Sequence, residues 1–157
     1  MLDTLVAFDK DFFLFLNSFH SDFFDTLMWW ISYKYTWIPF YIYLIYHTVK
    51  LHGRGALFII IAGIVAVVLA DFISVHGFKN NFERLRPCHQ ESINSMVHTV
   101  KDKCGGRYGF VSSHAANTFA AAMFFSLVYK TKGWRFILFL WAIIELQPDI
   151  FGRTFPC

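Results

Sequence analysis

The sequence predicts an all-α fold: a multi-pass transmembrane helical bundle with an interfacial N-terminal helix. Two observations carry this. Of the 157 residues, 56% are hydrophobic and only 16% charged, where a soluble domain carries about 25% charged residues. The charges also gather in short polar segments between long uncharged stretches, the layout of a chain whose solvent is lipid. A formal charge of +3 is too small to suggest a nucleic-acid partner.

Residues 5–19 are apolar but interrupted by Asp9, Lys10 and Asp11, so an amphipathic helix at the membrane surface is expected there rather than a span. The same acidic residues argue against a signal peptide, which needs a basic start and an unbroken apolar core. A first span is expected over about 24–49. It opens with Trp29 and Trp30, suited to the headgroup region, and contains Lys34 and Pro39. A second, over about 55–75, has the length that crosses a hydrocarbon core of about 30 Å. A third, over about 112–129, is rich in Ala and Phe. A fourth, over about 134–146, begins at Trp134 and loses its apolar character at Glu145. One membrane domain thus covers 1–157, with a polar segment at 77–110. The tail at 145–157, ELQPDIFGRTFPC, looks foreign to the rest.

The short loops set the orientation. Lys50, His52 and Arg54 lie between the first two spans, and Lys130, Lys132 and Arg135 between the last two. Neither loop holds an acid, so both are expected in the cytoplasm of a plasma (inner) membrane protein, with 77–110 outside. Lys79, Arg84, Arg86, Lys101, Lys103 and Arg107 make that outer segment basic as well, which calls for another role. Cys88 and Cys104 are expected to pair as a disulfide there. None of the three cysteines has CxxC or metal-ligand spacing, so neither metal nor other cofactor is expected.

Phosphate chemistry accounts for the outer charges. Arg86 can grip two phosphoryl oxygens with its planar fork, and Lys79 adds a compact charge. Ser112 stands where an N-cap belongs. Its hydroxyl and the free amides of the next turn, including that of Ser113, form an anion seat. His114 lies inside that turn and can protonate a departing alkoxide. Contacts to lipid headgroups and an ordinary helix cap would use the same residue types.

Lys79 to Pro87, K-N-N-F-E-R-L-R-P, resembles the first motif of the type 2 phosphatidic acid phosphatase superfamily, K-x6-R-P. Val111 to His114, V-S-S-H, resembles its second motif, P-S-G-H, with Val111 for Pro and Ser113 for Gly. The resemblance covers about residues 24–144. It implies metal-independent hydrolysis of a lipid phosphate or polyprenyl diphosphate such as undecaprenyl diphosphate, phosphatidylglycerophosphate or a lipid A phosphate. Lys79, Arg86, Ser112 and Ser113 would bind phosphate, and His114 would be the acid.

The third motif of that family, S-R-x-x-x-G-x-H-x-x-x-D, supplies the nucleophilic histidine and is due where ELQPDIFGRTFPC stands. No histidine follows His114. His114 cannot be nucleophile and acid in one step, and Arg153 has the wrong surroundings to replace the motif's arginine. The expectation is a truncated family member, inactive as written; the alternative is a non-catalytic membrane protein that binds anionic lipid. The genetic code offers a source for the tail. Skipping the first base of suitable codons for ELQPDIFGRTFPC reads S-Y-S-R-I-F-L-G-V-H-F-P. This puts Arg at Pro148, Gly at Gly152 and His at Thr154.

Overall fold

A computed structural model describes residues 2–33, 35–100, 104, 106–109 and 111–150. The expectations for Lys34, Lys101, Lys103, Arg153 and the tail beyond residue 150 lie outside the described residues. The protein is all-helical, and an isolated bridge pairs Leu85 with Tyr108. The helices are α1 (Leu2–Ser18), α2 (Asp22–Ser32), α3 (Ile38–His52), α4 (Ala56–Phe72), the short α5 (Asn80–Phe82), α6 (Ser113–Tyr129) and α7 (Lys132–Ile150). A π-helical stretch, Ile73–Lys79, joins α4 to α5.

The single span expected over 24–49 is two helices. Ser21 caps α2 by accepting from the Phe24 amide, and α2 ends at Ser32. The chain then turns, and α3 begins with Pro39 in its first turn, where a missing N–H is harmless. The Trp37 indole closes the break by donating to the Ile31 carbonyl at 2.8 Å. Pro39 therefore starts a helix instead of lying inside one. Helix persists beyond Gly77 to Phe82, and Glu83 stops it at φ 43°.

Among the described residues, one helical run, Ile38–Phe82, is long and apolar enough to cross a membrane. It doubles back at Gly53, whose φ of +53° is costly for other residues. The neighbours on either side of the turn establish this reversal. Thr48 of α3 meets Tyr129 at the end of α6. Along α4, Gly63 faces Phe124, Asp71 meets Asn117 and the following π stretch brings Ser74 to Ser113. So α4 runs antiparallel to α6. Phe119 against Phe139 and Tyr129 against Trp134 set α7 antiparallel on its other side.

The core is small and partly polar. It contains Leu44, Ala121, Ala122, Tyr129, Leu138, Trp141 and Ala142, with Thr48 and Ser126 buried beside them. Small residues let helix backbones approach: a Cβ at Gly63 would lie 3.1 Å from the Phe124 ring. The large apolar residues face outward instead. Phe58 is 76% exposed, and Leu57, Val68, Leu69, Phe136 and Ile143 are exposed too. A continuous surface of this kind demands an apolar partner.

The Tyr129 hydroxyl joins α6 to α3, lying 2.8 Å from Thr48 Oγ1 and donating to the Leu44 carbonyl at 3.0 Å. Tyr129→Phe should therefore lower stability by about 1 kcal/mol. The ring contacts to His47 and Trp134 remain, so a denaturant titration in detergent isolates the hydroxyl. An unchanged midpoint would contradict this.

Candidate phosphate site

The site forms where the end of α4 meets the start of α6. Lys79 Nζ donates to Ser113 Oγ at 2.9 Å. Ser74 Oγ lies 2.9 Å from the same oxygen and 2.8 Å from the Asp71 carbonyl. The π geometry explains why Ser74 and Lys79 converge. Its i→i+5 hydrogen bonding brings residues five apart toward one face, whereas an α-helix would splay them. Ser74 was missed in the sequence because a 3.6-residue period places it elsewhere. Next to it, Asn117 donates to the Asp71 carboxylate at 3.1 Å.

Ser112 has extended backbone at φ −69°, ψ 114° and accepts from the Ala115 amide at 3.1 Å. It is the N-cap of α6, and the first-turn amides beyond it are oriented for an anion.

Arg86 comes from a two-residue ribbon. Its amide donates to the Arg107 carbonyl at 3.0 Å, and the Gly109 amide donates to the Arg84 carbonyl at 2.9 Å. Arg86 Nε reaches the Tyr108 carbonyl at 3.4 Å. A side chain at Gly109 would collide with this arginine: an added Cβ would sit 2.8 Å from Arg86 Cγ. Gly109 was another residue missed, and only the fold reveals its closeness to Arg86.

His114 faces α7. Its Nε2 makes a 2.5 Å ion-pair contact with Glu145 Oε2. Glu145 Oε1 is buried with no hydrogen-bond partner among the described residues. Glu145 is 1% exposed. Although the apolar pattern stops at Glu145, α7 continues to Ile150 with Pro148 inside it, and Glu145 points inward.

A disulfide joins Cys88 and Cys104, with Cα atoms 6.2 Å apart. His89 Nε2 lies 3.3 Å from Cys104 Sγ, and these three residues cluster tightly enough to bind a metal. Metals bind thiolates, so the disulfide occupies both sulfurs. The segment between α5 and α6 is also tied to the N-terminal helices. Arg84 pairs with Asp9, Lys10 donates to Ser92 at 3.1 Å, and Asn17 exchanges bonds of 2.9 and 2.7 Å with the His98 backbone.

The description of the PAP2 superfamily matches residues 56–146. The chain belongs to the PAP2 superfamily. Its curated relatives include a lipid A 4'-phosphatase of Porphyromonas gingivalis, 31% identical over 98% of this chain and 64% of the relative. Another, of Bacteroides thetaiotaomicron, is 32% identical over 99% of this chain and 71% of the relative. The chain therefore spans about two thirds of their length. No solved structure matches it significantly. The PAP2 match ends one residue beyond Glu145, although both relatives align further.

Two outcomes follow from this geometry. Gly109→Ala should displace Arg86 and weaken vanadate binding about tenfold, a loss of about 1.4 kcal/mol, while the helix content stays unchanged. Unaltered affinity would rule out the packing of Gly109 on Arg86 as a requirement. Thiol labelling of unreduced, unfolded protein should modify neither Cys88 nor Cys104, and modification of both would remove the bridge.

Proposed function

We propose that this PAP2 chain is a multi-pass membrane protein that seats a lipid phosphate at the outer end of α6 and, as written, does not hydrolyse it. The convergence of Lys79 and Ser74 on Ser113, beside the capped start of α6, carries the reading. A phosphoryl group there would meet the Lys79 ammonium, the Arg86 fork and the α6 amides. Lipid A bearing a 4'-phosphate is the leading ligand because of the relatives' names; a polyprenyl diphosphate is the next.

Membrane placement is supported by the apolar outer faces of α3, α4, α6 and α7. The basic loops at 50–54 and 130–135 lie at the end opposite Ser112, so the positive-inside tendency favours a site outside the cytoplasm of the inner membrane. Phe8, Phe12 and Phe15 of α1 are exposed at helical spacing, with Phe19 exposed just beyond the helix, a stripe suited to lying in the interface.

Hydrolysis through a phosphohistidine needs one histidine to attack and another group to protonate the leaving oxygen. His114, in the first turn of α6, is the candidate for the second role, and 145–157, where the third motif is due, holds no histidine. The missing third motif is best explained by a shifted reading frame from Glu145. Two local conflicts support this: a buried, half-satisfied carboxylate at Glu145, and Pro148 buried inside α7, where it lacks an amide and crowds the preceding turn. The alternative, a headgroup-binding protein without a phosphatase origin, leaves the first two motifs unexplained.

The test has two arms. The chain as written, in proteoliposomes, should bind vanadate yet release no phosphate above background from lipid A or polyprenyl diphosphate. Arg86→Ala should weaken binding more than Arg84→Ala, because Arg84 is already engaged by Asp9. The gene's codons should encode the third motif in the neighbouring frame, and the repaired protein should release phosphate until His114→Ala stops it. Turnover by the unrepaired chain would overturn the inert reading; silence from the repaired one would overturn the phosphatase reading.

A further inference from the structure

We propose that Cys88, His89 and Cys104 form a zinc site that becomes available when their disulfide is reduced. The three ligand atoms, two Sγ and one imidazole nitrogen, lie within 4.8 Å of one another. The bridged cysteines have Cα atoms 6.2 Å apart, and His89 Nε2 is 3.3 Å from Cys104 Sγ. Zinc bonds of about 2.3 Å to sulfur and 2.0 Å to nitrogen put tetrahedral neighbours roughly 3.5–3.8 Å apart. The His89–Cys104 pair is already close to that spacing. Only the two sulfurs must part, and at this Cα separation rotation of the side chains achieves it.

Backbone bonds bring these residues together and would keep them together without the bridge. A short helical turn, Pro87–His89, presents Cys88 and His89 side by side, and the His89 amide donates to the Arg86 carbonyl at 2.8 Å. The Arg86 amide then holds the Arg107 carbonyl, which returns the chain so that Cys104 meets His89. The loop between the cysteines is anchored separately. Ile93 and Val100 are buried, and Asn17 holds the His98 backbone from α1. Opening the sulfur–sulfur bond therefore leaves three ligands on a loop that is still docked.

The chemistry balances with a dithiol as reductant. Its two thiols become a disulfide, and the Cys88–Cys104 bond takes up two electrons and two protons. Zinc then displaces both thiol protons, giving a neutral centre of one Zn²⁺, two thiolates and a neutral imidazole. Two sulfurs and a nitrogen suit zinc, and water completes its four-fold shell. Mg²⁺ and Ca²⁺ prefer oxygen and would not compete. His89 is exposed and both sulfurs are half-buried, so a metal can reach them. The sequence hides this site because the cysteines are 16 residues apart.

The test uses the full chain in detergent with Cys157→Ser, so that the bridge supplies the only thiols. After reduction by a dithiol and desalting without oxygen, it should bind about one equivalent of zinc, and the unreduced protein should bind none above background. Cobalt in place of zinc should give near-ultraviolet thiolate-to-metal absorption in the reduced form alone. His89→Gln leaves the bridge intact and should weaken zinc binding by about tenfold, whereas His52→Gln, at the other end of the bundle, should not change it. Zinc should also raise the unfolding midpoint of the reduced protein and leave that of the oxidised protein unmoved. Equal uptake before and after reduction, or full affinity in His89→Gln, would overturn the site. Zinc bound without stabilisation would overturn it as well, since that is ligation by an unfolded loop.

Discussion

The close antiparallel contact of α4 with α6 determines where every other part of the site lies. Gly63 against Phe124, Asp71 against Asn117 and Ser74 against Ser113 keep one register along the whole seam. Between lipid-facing helices there is little hydrophobic gain to hold such a register, so close packing and polar bonds must do it. Gly63 allows the approach at one end, and the Asp71 and Ser74 contacts fix it at the other. The π stretch then turns Lys79 toward Ser113 rather than past it. A regular α-helix over the same residues would keep the seam and lose the lysine.

Much of this was legible in the sequence, for identifiable reasons. Ser112 before a long Ala-rich run reads as a cap because capping depends on local backbone geometry. Apolar stretches announce α4 and α6 because few charges interrupt them. The break between α2 and α3 was hidden because Trp29, Trp30 and Pro39 suit either a continuous helix with a proline or two helices. Ser74 was hidden by the π stretch, whose period differs from the one used to assign faces. Gly109 and Lys10 act across 23 and 82 residues of sequence, on Arg86 and Ser92 respectively. No local pattern encodes such distances.

Ser113 shows how a substitution can occupy a site without destroying it. Its hydroxyl takes the Lys79 ammonium in the unliganded protein, so an arriving phosphate must replace that bond or share the lysine with it. The hydroxyl can also turn its proton toward a phosphoryl oxygen. The backbone amide at this position is unaffected by the side chain, and the helix N-terminus keeps its attraction for anions. The proposed phosphate contacts therefore do not depend on the residues of the tail.

Glu145 is where the sequence departs from the apolar pattern of α7. A carboxylate this deeply buried needs a counter-charge, and its neighbour across the helix seam is His114. That contact lets α7 stay packed through Glu145. It also engages the imidazole's Nε2. Oε1 gains nothing from the arrangement and stays unsatisfied, a cost that a position shaped for glutamate would have avoided. The same interaction that accommodates Glu145 thus engages the acid on which the proposed chemistry depends. A shifted frame would impair this PAP2 site twice, by omitting the nucleophile and by occupying its partner.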